Sequence, residues 1–131
     1  MSKSYNFIVP LVIYDFDIMF SVGESNYQIY KAVEQRLKDE DFKIFQDDEM
    51  LFKMPETTNG RTVHNLIGGQ TIIRLRSKPK NPQGYSVLAH EIFHAVDFIM
   101  RHIGITLSPD SDEAYAYLIG YVTREFFKAV S

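Results

Sequence analysis

The stretch Ser86-Val87-Leu88-Ala89-His90-Glu91-Ile92-Phe93-His94-Ala95-Val96-Asp97-Phe98-Ile99-Met100, running on through Arg101, His102 and Ile103 to Gly104, decides how the chain is read. Leu88, Ile92, Phe93, Val96, Ile99, Met100 and Ile103 recur at the three-and-four spacing of a buried helical stripe. Ser86 is a candidate N-cap and Gly104 a candidate C′ residue, so the pattern predicts one helix with His90-Glu91-Ile92-Phe93-His94 at its middle. Positions i and i+4 of a helix lie one above the other, so both imidazoles can reach a single metal ion with Glu91 beside it. Exposed histidines could share a face without purpose. The glutamate between them and a suitable acid downstream argue for a metal site.

That acid is Glu113. Eighteen residues separate it from His94, enough to finish the helix, turn at Gly104 and return through Ile105-Thr106-Leu107-Ser108-Pro109 into a second helix. The helix beyond His94 is roughly 14 Å long, and ten extended residues span up to about 33 Å, so the return is geometrically easy. Glu113 would approach from the first turn of the second helix and complete a His-His-Glu set with the fourth position open to water. A competing role is local: Asp110-x-x-Glu113 has the spacing of a capping box, in which Glu113 would reach back to a backbone N–H.

His90-Glu91-x-x-His94 followed by Glu113, within Ser111-Asp112-Glu113-Ala114-Tyr115-Ala116-Tyr117, resembles the zincin metallopeptidases of the gluzincin type, and the likeness covers about the C-terminal third of the chain. It implies one zinc per chain on His90, His94 and Glu113, and a peptide or protein substrate. Two departures stand out. The Gly-Ala-Met-Glu-Asn segment with which the aminopeptidase branch grips a free N-terminus is missing, and Asp112 stands where the thermolysin-like pattern has Asn before its glutamate. As a whole the chain is similar to the short stand-alone zincin-like proteins of phages and mobile elements.

Chemistry follows from the set. Zinc lowers the pKa of bound water toward neutrality, and Glu91 accepts its proton as general base before shuttling it to the leaving amine. The developing oxyanion needs a donor. Tyr117 and Tyr121 lie four and eight residues after Glu113 on one helical face, with Tyr115 and Tyr85 as further candidates, although packing explains most tyrosines equally well. Asp97 and Asp112 are the nearest groups that could orient a zinc-bound imidazole, Asp97 serving also as substitute third ligand or as a solvated acid. His64 and His102 have no motif around them. Loop polarity accounts for the first and the helix dipole for the second.

Composition bounds the rest. The 131 residues form one domain, 1–131, with 45% hydrophobic residues, 10 Phe and 8 Tyr to fill its core. A formal charge of −3 and a pI near 5.8 argue against nucleic acid as partner, and Arg74, Arg76, Lys78 and Lys80 read as a strand edge and exit loop. Having no cysteine, the chain has no disulfide, thiolate ligand or cysteine nucleophile. The apolar residues 7–14 are too few for a membrane span, contain Pro10 and lack a signal cleavage site, so a cytoplasmic protein without membrane attachment is expected.

Periodicity along the chain predicts strands at 7–14 and 17–22, a turn at 23–26, a helix at 27–38, a hairpin from 42–45 and 50–54, and a turn at 58–60. A strand at 71–76, a Pro-rich loop at 78–84 and a final helix at 111–129 follow. The expected fold is α+β, a minimal zincin-like domain in which a small mixed sheet carries an active-site helix and a C-terminal helix. Residues 71–76 are the candidate edge strand for pairing with an extended peptide, an ordinary interior strand being the alternative. Three functions fit: a zinc-dependent peptide-bond hydrolase of endopeptidase type, a non-catalytic zincin-scaffold binding or virion-associated module with structural metal, and a regulator that holds a partner's chain uncut. Glu91 favours the first, since a structural site needs no base. Small size weighs against it.

Overall fold

In the computed structural model, residues 3–36, 53–64 and 70–131 are described, Arg36 and Gln70 by their backbone alone. Strands β1 (Tyr5–Leu11) and β2 (Phe16–Val22) pair antiparallel. The strand expected through Tyr14 stops at Leu11, because Leu11 already faces Phe16 across the ladder and the chain must reverse in the four residues between them. A 3-10 turn over Val12–Tyr14 makes that reversal, closed by Asp15 at φ 56°.

Helix α1 (Asn26–Arg36) opens with a reciprocal cap: the Ser25 hydroxyl accepts from Gln28 N at 3.1 Å while Gln28 Oε1 accepts from Ser25 N at 2.8 Å. Strands β3 (Gly60–His64) and β4 (Gln70–Leu75) complete a four-stranded sheet of order β1-β2-β4-β3, in which β2 and β4 are parallel and the outer pairs antiparallel. Helices α2 (Pro82–His102) and α3 (Asp112–Val130) follow. The fold is therefore α+β, with the small mixed sheet and C-terminal helix that the sequence predicts.

Strand alternation sorts the core into two layers. Ile18, Phe20 and Val22 of β2, with Ile73 and Leu75 of β4, pack under Leu88, Ile92, Val96 and Ile99 of α2 and Leu118, Val122 and Phe126 of α3. Met19, Ile72 and Val63 turn the other way, against Ile29 and Val33 of α1. Among the described residues no helix is long and apolar enough to cross a membrane.

Two expectations change. Residues 71–76 are no edge: β4 is hydrogen-bonded on both sides, with Thr71 through Leu75 all buried, and the strand at the border beside α2 is β3. Helix α2 begins at Pro82 and not near Ser86, because the Asn81 side chain accepts from Gly84 N at 2.9 Å and Pro82 brings a helical φ and no N–H to satisfy. Its end agrees with the reading, Gly104 taking φ 88° just past the last turn. The hairpin expected over 42–45 and 50–54 lies outside the described residues, apart from 53 and 54.

Candidate metal centre

Burial of Leu88, Ile92, Ala95, Val96, Ile99 and Met100 fixes the rotation of α2, and the opposite face is left to His90 and His94. Their Nε2 atoms are 3.0 Å apart, within hydrogen-bonding distance, with the rings edge to face. Glu91 lies 100° around the helix from its neighbours, which turns it inward against β3, where it is only 8% exposed. Thr62 meets it there: the hydroxyl is 2.7 Å from Glu91 Oε1 and 3.1 Å from the Glu91 carbonyl oxygen, and its single proton serves the carboxylate at the shorter distance. The other carboxylate oxygen, Oε2, is 4.0 Å from His90 Nε2.

Strand β3 runs beside α2 with Gly60, Thr62 and His64 on the helix-facing side and Val63 on the other. Gly60 is a close approach. A Cβ there would stand 2.7 Å from Val87 Cγ1 and 3.0 Å from Glu91 Cγ, so a side chain would push the helix off the strand. His64 stacks on Phe98 with 3.6 Å between ring centroids and 13° between planes. Burial, with like charge on His94 as a second cause, holds its pKa down to about 4. Thr62 escaped the sequence reading, and His64, there ascribed to a polar loop, closes strand β3. Their signal is Gly60-x-Thr62-x-His64 after an Asn-Gly turn, too short an alternation to declare a strand by itself.

Two imidazole nitrogens on one tetrahedral zinc, with bonds of 2.0–2.1 Å, sit about 3.3 Å apart. The His90–His94 pair already stands near that spacing, with a carboxylate beside it, so the two imidazoles could serve as two of a zinc ion's ligands. Glu113 stands apart. It is exposed in the first turn of α3 and lines an open groove on the outer side of that helix with Ala116, Tyr117, Gly120, Tyr121 and Arg124. Tyr115, two residues on and thus about 200° around the helix, is the residue buried against α2. Among the described residues no three His, Asp or Glu side chains converge on one point. Nor does Glu113 act as a cap, for its carboxylate makes no hydrogen bond or ion pair among the described residues.

The remaining candidates are distributed by their contacts. Asp97 is held by Arg101, with Nε–O distances of 3.1 and 3.0 Å, and by the Tyr115 hydroxyl at 3.1 Å, so it orients neither imidazole. Burial, then that contact with Asp97, raises the Tyr115 pKa. Asp112 is exposed. Tyr121 donates to the Pro10 carbonyl at 3.1 Å and lies under Arg124, which ties it to β1, whereas Tyr117 is 76% exposed on the outer face of α3. Tyr85 stands edge-on to Phe127 and His102 edge-on to Phe16, both packing roles. Compared with known proteins, the chain matches no family model, no curated protein and no solved structure.

Proposed function

We propose that the protein is a zinc-dependent peptide-bond hydrolase, an endopeptidase of the gluzincin kind. The observation that carries this reading is the pair of Nε2 atoms 3.0 Å apart with the Glu91 carboxylate fixed beside them. His90 and His94 would hold the metal; Glu113 is the third ligand that the motif implies, and because it lies exposed on the outer side of α3 it would reach the ion only if the first turn of that helix moved. Zinc, when bound, supplies a Lewis acid that polarises the scissile carbonyl and acidifies water.

Glu91 handles the proton. Thr62 occupies Oε1, which leaves Oε2, the oxygen nearer His90, to take a proton from the attacking water and hand it to the leaving amine. Substrate as extended chain is supported by β3, whose outer side pairs with no strand among the described residues and can accept a peptide by strand addition. The His90 side chain is 67% exposed, which suits an open catalytic position better than the closed shell of a structural zinc.

Metal analysis tests the reading. Native protein should carry about one zinc per chain, His90→Ala and His94→Ala should lose it, Glu113→Ala should weaken it, and Glu91→Gln should retain it while cleavage of a partner protein stops. Well-folded native protein that takes up no supplied zinc ends the proposal.

A further inference from the structure

Helix α3 shows solvent a face that is charged only at its ends. Glu113, Ala116, Tyr117, Gly120, Tyr121 and Arg124 follow one another at three-and-four spacing and line one open groove. Tyr117 is 76% exposed, and across Tyr117 and Tyr121 the groove continues into an apolar hollow formed with Val12 and Ile13, which are 84% and 91% exposed. Apolar surface gathered in one patch marks a contact site. Gly120 lies inside the helix, where glycine is less stable than alanine. A Cβ there would meet nothing within 4 Å, so packing among the described residues gives no reason for a glycine, whereas a close approach from outside does. The groove is also symmetric in sequence: the point midway between Glu113 and Arg124 is midway between Ala116 and Tyr121 and between Tyr117 and Gly120.

We propose that the outer face of α3 is the contact between two copies of this chain, packed antiparallel about a two-fold axis, with Glu113 of one copy on Arg124 of the other, Tyr117 over Gly120 and Tyr121 over Ala116. A two-fold contact uses the same patch on both copies, and this patch meets that condition: each tyrosine falls on a small residue and each acid on a base. The eleven residues from Glu113 to Arg124 rise about 16 Å and end within about 20° of the same face, so both charged ends stay in register. Arg124 is available for the pairing. It stands 3.5 Å from Glu125 and over the Tyr121 ring at 5.6 Å, and Lys128, at 3.3 Å, keeps Glu125 paired when Arg124 turns outward. Tyr121 is anchored on the Pro10 carbonyl, which fixes its ring as a wall of the groove. The inference concerns the metal-free chain and does not rest on the hydrolase reading, whose histidines belong to α2 and not to this groove.

Sedimentation equilibrium of the metal-free protein, with chelator present, tests it. Across the micromolar range the mass should rise from the 15.2 kDa of one chain toward twice that value. Gly120→Leu should weaken association about tenfold, while circular dichroism finds the monomer as stable as native or more so, since the new side chain meets nothing within the chain and leucine favours helix. Glu113→Arg and Arg124→Glu should each weaken the dimer about tenfold by setting like charges together at both ends, and the two substitutions combined should restore it. A native chain that stays at 15.2 kDa throughout overturns the second copy as occupant and leaves the groove to a different protein. A dimer indifferent to Gly120→Leu, or charge reversals that the double exchange does not rescue, overturns the antiparallel pairing. Zinc uptake by a monomeric native chain sinks this inference alone, and a dimer that takes up no zinc sinks the hydrolase reading alone.

Discussion

Replacing Thr62 by Val removes one hydroxyl and keeps the shape of the side chain. What is lost is a 2.7 Å hydrogen bond to Glu91 Oε1, and the Glu91 side chain is only 10% exposed, so water replaces the bond poorly. Hydrogen bonds to charged groups contribute about 1.5–3 kcal/mol. The expected loss is about 2 kcal/mol in metal-free protein. With a urea slope of about 2 kcal/mol per molar for a small domain, the unfolding midpoint should drop by roughly 1 M. Thr62→Ser, which restores the hydroxyl, should recover most of the difference, and this rescue separates the bond from a change in packing. Urea titrations followed by circular dichroism measure all three proteins. A Thr62→Val midpoint within about 0.2 M of native would show that the hydroxyl does not hold Glu91, and the assignment of Oε2 as the working oxygen would fall with it.

Other expectations are as direct. Gly60→Ala places a Cβ 2.7 Å from Val87 Cγ1 and should cost about 1–3 kcal/mol as overpacking, read as a lowered melting temperature; an unchanged value would mean that β3 and α2 are not in close contact. His64 titrates near 6.5 in the unfolded chain and at about 4 in the folded one, so between those pH values the unfolded state binds the extra proton and stability falls as pH drops. The full shift corresponds to about 3 kcal/mol, discounted to about 2 for a half-buried ring partly screened by solvent; His64→Phe should flatten this part of the pH–stability curve, and a curve as steep as native refutes the assignment. Chelator treatment of zinc-loaded protein should lower its melting temperature and leave the His90→Ala and His94→Ala proteins unaffected, since a ligand bound only by the folded state stabilises it.

How much of this was readable in the sequence depended on the length of each pattern. Helix α2 spans several turns, so its stripe fixed which face carries His90 and His94; its start differs, where Asn81-Pro82 signals an N-cap and first helical position, and Phe93 and Ile103, counted in the buried stripe, are exposed. Strand β3 has five residues and two alternations, below what a pattern can establish, and both Thr62 and His64 went with it. Strand order was out of reach for a different reason. Nothing in residues 71–76 says that β4 slots between β2 and β3, because pairing is a property of two distant segments and each carries only its own periodicity. Glu113 illustrates a further limit. Spacing predicts that it can return to the histidines, but the rotation of α3 is set by which residues find burial, and Tyr115 takes the inward position.

The sheet order also bears on how the chain is made. Among the described residues β4 links β2 to β3, and Asp17 of β2 pairs with Gln70 of β4. A ribosome that has released residues up to His64 has therefore emitted β1, β2 and β3, which cannot yet form one sheet, because the strand that joins them is still inside. Closure waits for Leu75, immediately before α2 begins to emerge. Such long-range pairing is slow to form and leaves strand edges unprotected in the meantime. Thr62 and Glu91 meet only once β3 has been captured by β4, so assembly of the sheet sets the moment at which this contact can form.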